Sequence, residues 1–171
     1  MSQLGLLVSA GSYVPNNAGQ HRPGARGSIT ISDVHVANTV LQGVLIEDKA
    51  VEGNLGVVFR NVSVVNGSHY DPLIHNQASK FASPIQLSRA KEMDNGGVRF
   101  EGCSVVDNRN RSFFSTGSTS HQTRGNLSDV RGTFDVVNPF GCRAETGPAS
   151  SDVQIIATSC SKVASATRVT Q

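Results

Sequence analysis

Val57-Val58-Phe59-Arg60-Asn61-Val62-Ser63-Val64 places apolar side chains in alternation on both sides of Asn61. Val57 and Phe59 lead in, and Val62 and Val64 lead out. A period of two specifies strand, because successive strand side chains point to opposite faces. Asn61 breaks the alternation, and Asn enters the left-handed backbone region at low cost. The stretch therefore reads as two short strands joined by a corner rather than a reversal. The same pattern recurs at Ile31-Ser32-Asp33-Val34-His35-Val36, at Phe100-Glu101-Gly102-Cys103-Ser104-Val105, and in looser form at Arg131-Gly132-Thr133-Phe134-Asp135-Val136. Laid over one another without gaps, these copies put the corner at Asp33, Asn61, Gly102 and Thr133, with Ser159 at the equivalent place in a fifth. Asn or Asp follows four residues after each central apolar position, at Asn38, Asn66, Asp107 and Asn138.

A third strand precedes the corner. Val44-Leu45-Ile46 through Phe59 matches Ile85-Gln86-Leu87 through Phe100 position for position, including Gly56 with Gly97. Three strands and two corners make one turn of a coil. The central positions Val34, Val62, Cys103 and Phe134 are unevenly spaced, so the variable part is the third connection, and its longest insertion spans 67–83. An antiparallel sandwich would also show short strands with turn signals. Its tight-turn candidates, Asn66-Gly67 and Asn95-Gly96, are not both flanked by strands of matched length, and the recurrent turn Asn fits the coil better.

This arrangement resembles the right-handed parallel β-helix of the pectin lyase-like superfamily, over the chain from about Leu4 to Cys160. The resemblance implies one all-β domain over 1–171, a solenoid of about five to six rungs with the insertion at 67–83 and a polar tail at 161–171. Each rung would bury Val, Ile, Phe and Leu against rungs roughly 4.8 Å away. It also implies an extracellular protein that binds or processes an acidic polysaccharide. The superfamily's reaction motifs are not in the sequence: neither a paired-Asp hydrolase signature with its His-Gly and Arg-x-Lys segments, nor a clustered-Asp calcium site, nor Arg-x-Pro-x-x-Arg. Lyase or hydrolase chemistry is thus left open, and no catalytic position is carried over.

Composition agrees with strands and narrows the partners. The 171 residues are 37% hydrophobic and only 16% charged, and they include 17 Gly. One domain of this size buries a continuous core. A net charge of +2 gives no footprint for nucleic acid or an acidic membrane surface. No stretch approaches the roughly 20 apolar residues of a membrane helix, and the first residues lack the basic start and long apolar run of a signal peptide. No cofactor motif is present, and no metal site is expected. Cys103, Cys142 and Cys160 cannot all pair within one chain, and none is spaced as a zinc ligand set. Cys103 and Cys160 fall in the column of Val34, Val62 and Phe134 and read as small buried apolar residues.

Chemistry-bearing side chains concentrate in the insertion. His69, Tyr70, His75 and Lys80 lie there, with Arg89 and Lys91 just beyond the next strand. His, Tyr and Lys are candidate general acids or bases, with Arg89 beside them as a fifth candidate catalytic group; Lys91 is a candidate partner for a uronate. The plain alternative is a solvated loop. His69 and His75, six residues apart on a loop, do not make a metal site. A second patch, Asp107-Asn108-Arg109-Asn110-Arg111 followed by Phe113-Phe114, offers Arg109 and Arg111 to a sugar acid. Its plain alternative is a turn, with Phe113 or Phe114 opening the next rung. His35 should point outward from its strand, while His21 and His121 stand alone in loops. The sequons at Asn61, Asn66, Asn110 and Asn126 are ordinary in so Asn- and Ser-rich a chain.

Two functions of different class follow. One is a glycan-binding or glycan-processing β-helix. The other is a non-catalytic structural or adhesion module, a piece of a larger surface protein or a self-associating unit stacked end to end, since neither terminus shows an amphipathic capping helix.

Overall fold

The corners form where short polar side chains permit them. Asp33, Asn61 and Gly102 take left-handed backbone angles, with φ of 57°, 49° and 59°. The computed structural model describes residues 5–9, 27–40, 42–47, 55–67, 83–88, 97–116, 129–146 and 153–162. Among these, the chain is all-β, without a helix. One sheet contains β1 (Leu6–Ser9), β4 (Val44–Glu47), β7 (Ile85–Ser88), β9 (Phe114–Ser115) and β11 (Ala144–Glu145), in that order. The other contains β2 (Gly27–Ser32), β5 (Leu55–Arg60), β8 (Val98–Val106), β10 (Val130–Val137) and β12 (Val153–Ser161), again in chain order. The short β3 (His35–Ala37) and β6 (Ser63–Val65) continue β2 and β5 past their corners, and β6 pairs with β3 and β8. Among the described residues every strand pair is parallel. The chain passes from one sheet to the other and back, so sequential order is kept in both.

Register follows the overlaid copies where those copies are gap-free. Ile31 pairs with Phe59 and Phe59 with Phe100, while Ile46 pairs with Leu87. Backbone bonds run across the corners too, from Asp33 N to Arg60 O at 3.0 Å and from Asn61 N to Glu101 O at 2.9 Å. Asn61 Nδ2 donates to Asp33 Oδ1 at 2.7 Å, tying the two corner side chains together.

The looser fourth copy departs from the expectation. Gly132 pairs with Phe100 and Phe134 with Cys103, so Thr133 alone faces Glu101 and Gly102. β10 is one residue short there and runs through the corner without a left-handed residue. Thr133 is therefore no corner, and neither is Ser159. In β12 the irregularity comes one step later, where Phe134 pairs with Ala157 but Asp135 with Ser159, leaving Thr158 bulged. That bulge moves Cys160 out of the expected column and opposite Val136, on the exposed last strand. Cys160 is not a buried apolar residue; it is disulfide-bonded to Cys142. Cys103 does sit in the core as read, and burial pushes its thiol above the ordinary cysteine range.

Inward columns from both sheets fill one core. Its centre is aromatic: Phe59 stacks on Phe100 at 4.8 Å, and Phe134 tilts against both Phe100 and Phe113 at 5.1 and 5.3 Å. The Phe59–Phe100 column continues with Gly132, because the Phe134 ring already fills the space above Phe100. A Cβ at Gly132 would lie 2.8 Å from Phe100 Cβ and 3.0 Å from Phe134 Cε2. Gly132→Ala is accordingly expected to destabilise the fold by about 1–3 kcal/mol through overpacking. A denaturant midpoint equal to that of the parent chain would refute this packing.

Outward side chains of the second sheet form a charged face. Arg60 pairs with Glu101 at 2.7 Å, and Asp129 accepts from Arg131 at 2.7 Å and Arg99 at 3.3 Å. These pairs are well exposed, so each contributes no more than about 1 kcal/mol. His35 is exposed on β3, as its alternation requires.

Candidate functional site

The turns that carry the chain from the second sheet back to the first stack on one another. Asn66 N donates to Val106 O, Asp107 N to Val137 O and Asn138 N to Ser161 O, each at 2.8 to 2.9 Å. Asn38 and Asn66 hold this position in left-handed conformation, with φ of 54° and 47°. Asp107 and Asn138 are instead buried and use their side chains to build the two turns that follow.

In the turn after β8, Arg111 wraps back on Asp107. Its Nε lies 2.6 Å from Oδ2 and its Nη2 3.0 Å from Oδ1, a two-pronged pair whose members are only 12% and 1% exposed. The same Nη2 donates to the carbonyl of Gly67 in the neighbouring turn. Arg111 thus spends its fork on holding two turns together. In the turn after β10, Asn138 Oδ1 accepts from Phe140 N at 2.8 Å, an Asx turn, and Asn138 Nδ2 donates to Arg109 O at 3.0 Å. Gly141 completes it with φ of 117°. Arg143 Nη2 donates to Asn110 Oδ1 at 2.9 Å.

These contacts join 107–111 and 138–143 into one platform. Phe140 stands out from it, 56% exposed. On the same two turns are Asn110 and Arg143, both exposed, and Arg109, half-buried. Lys162 follows Ser161, the residue that accepts from Asn138, and is exposed as well. The Cys142–Cys160 disulfide, with a Cα–Cα distance of 5.8 Å, anchors the Phe140–Arg143 turn to the last strand of the second sheet. An exposed ring and an exposed guanidinium on one turn offer a sugar acid two kinds of contact, the ring for a C–H face and the guanidinium for a carboxylate.

Of the residues singled out in the sequence, Arg109 and Arg111 fall at this platform, Arg109 on its surface and Arg111 beneath it. Phe114 opens β9, and both it and the preceding Phe113 enter the core. His69, Tyr70, His75, Lys80, Arg89 and Lys91 lie outside the described residues. Phe140 and Arg143 were not singled out, although Asn138-Pro139-Phe140-Gly141 is a turn signal one level above the Asp107–Arg111 patch. Among the described residues, no cluster of His, Cys, Asp and Glu could hold a metal. Comparison with family models, curated proteins and solved structures finds no match to this chain.

Proposed function

We propose that this chain is a right-handed parallel β-helix that binds an acidic polysaccharide at the 107–111 and 138–143 platform. Supporting the fold are the strictly parallel pairing, the alternation of the chain between two sheets, and the turn Asn column. The observation that carries the function is Phe140, a large apolar ring held in solvent on the same turn as Arg143, among turns braced by a buried ion pair and a disulfide. Rigid scaffolding under an exposed aromatic and cationic surface is the economy of a binding site, since little ordering remains to be lost on binding. The disulfide also fits an oxidising location, in keeping with an extracellular glycan.

Polygalacturonate, alginate and a neutral glucan serve as test ligands in titration calorimetry. Phe140→Ala and Arg143→Gln should each weaken uronate binding by about 1–2 kcal/mol, roughly 5- to 30-fold. Arg60→Gln, on the charged sheet face, should leave it unchanged. Equal affinity for the neutral polymer, or indifference to both platform variants, would remove the site.

A second reading, a structural module within a longer β-helical surface protein, is favoured by the edges. Ile29 on β2 is 40% exposed although it pairs with the buried Val57, and Val153, Ile155 and Ala157 on β12 are only half-buried. Concentration-dependent association in light scattering supports that reading, and a monomer at all concentrations counts against it.

A further inference from the structure

Resting on that proposed site, we infer that the Cys142–Cys160 bond is a redox latch on the platform: reduction by a dithiol releases the Phe140–Arg143 turn together with β12. Cys142 stands one residue before Arg143 and two after Phe140, and its partner lies on the last strand of the second sheet. What else holds that strand comes from one neighbour: β10 pairs with it at eight positions, and Asp135 accepts from the hydroxyls of Thr158 and Ser159. Its inward residues Val153, Ile155 and Ala157 are half-buried, its register is broken at Thr158, and it pairs with β10 on one side. The turn itself is fastened by Asn138, by Arg143 bonding Asn110, and by the backbone bond from Phe113 N to Arg143 O at 2.9 Å, with Phe140 in solvent. Cys160 is an exposed residue of the last strand, so the bond lies at the edge of the fold. The third cysteine, Cys103, is buried against the carbonyls of Phe59 and Glu101 and takes no part.

The exchange balances as an ordinary two-electron transfer. A thiolate of the dithiol attacks Cys160 Sγ, the Cys142 sulfur leaves as a thiolate and takes up a proton, and the second thiol of the reductant resolves the mixed disulfide. Two protein thiols and one oxidised dithiol result. Binding that needs Phe140 and Arg143 in fixed relation to Arg109 and Asn110 then loses its preorganisation.

The full oxidised chain is tested with and without dithiothreitol, by hydrogen exchange and by calorimetry with polygalacturonate. On reduction, amide exchange in 138–145 and 153–161 should rise at least about tenfold while β5 and β8 keep their protection. Uronate affinity should fall about tenfold, within the span usual for coupled sites, and return on reoxidation. Cys142→Ser/Cys160→Ser should behave as the reduced chain does, and protected β5 and β8 amides show that it is folded. A bond that resists dithiol in the native chain, or opens with exchange unaltered, overturns the latch. If the oxidised chain does not bind polygalacturonate, the platform as a uronate site falls, and the exchange arm alone decides the latch.

Discussion

Phe100→Ala is expected to remove about 3–5 kcal/mol of folding stability, a large share of the roughly 5–15 kcal/mol a domain has. Phe100 lies on β8, the middle strand of the second sheet, with Phe59 stacked at 4.8 Å on one side and Phe134 at 5.1 Å on the other. Phe114 meets it edge-on at 6.0 Å from the first sheet. Truncation therefore opens a cavity bordered by three rings from three strands, and none can move in without leaving its own column. At the Gly132 level only the Phe134 ring covers Phe100, so the truncation also strips that ring of its support. Urea unfolding should show the midpoint falling with the slope unchanged. A loss below about 1 kcal/mol would mean that the rings repack freely, contrary to a core in close register.

Asp107→Ala should cost a similar amount, about 3–5 kcal/mol, for an electrostatic reason. The Arg111 guanidinium is 12% exposed, and its two-pronged partner is the Asp107 carboxylate. Without that carboxylate the cation stays between two turns, short of its counter-charge and of the water it gave up on folding. The double variant Asp107→Ala/Arg111→Met should recover most of the loss, because removing both charges also removes the desolvation penalty. The coupling read from the cycle of single and double variants should then be well above the few tenths of a kcal/mol expected of independent sites. If Asp107→Ala and Arg111→Met simply add, the pair does not brace the turns. The same cycle bears on the 107–111 and 138–143 platform, whose Arg109 and Asn110 lie within the loop that Arg111 closes.

The two predictions differ in how far they could be read from the chain. Phe100 is visible as a core residue in the alternation Val98, Phe100, Cys103, Val105, and its pairing with Phe59 is visible in the gap-free match of the two copies. The Asp107–Arg111 contact is four residues long, yet its purpose is not local. It depends on Gly67, 44 residues before Arg111, being brought alongside by strand pairing. Arg111 consequently looks like a ligand-binding cation in sequence and serves as a brace in the structure. Phe140 is the converse case, since nothing in a single sequence tells an exposed turn Phe from a buried one.

Cys160 shows where overlaying copies fails. A column assigned by counting holds only while each copy has equal length through the corner. β10 omits one residue and β12 displaces its extra residue by one step, so the count slips just before the cysteine. Because side chains alternate, such a slip exchanges one column for another and moves a residue from core to edge.

What the amino-acid sequence determined by itself is what short-range physics controls: the period of two, the left-handed corners at Asp33, Asn61 and Gly102, the turn Asn column, and a parallel register between copies of equal length. Each of these follows from the sterics of a few adjacent residues and from burial of one strand face. The tertiary structure alone decided the register slips at Thr133 and Thr158, the Cys142–Cys160 bond, the bracing role of Arg111 and the exposure of Phe140. Those outcomes depend on which distant segments lie against one another, and that is settled only when five strands stack and the space between their side chains is filled.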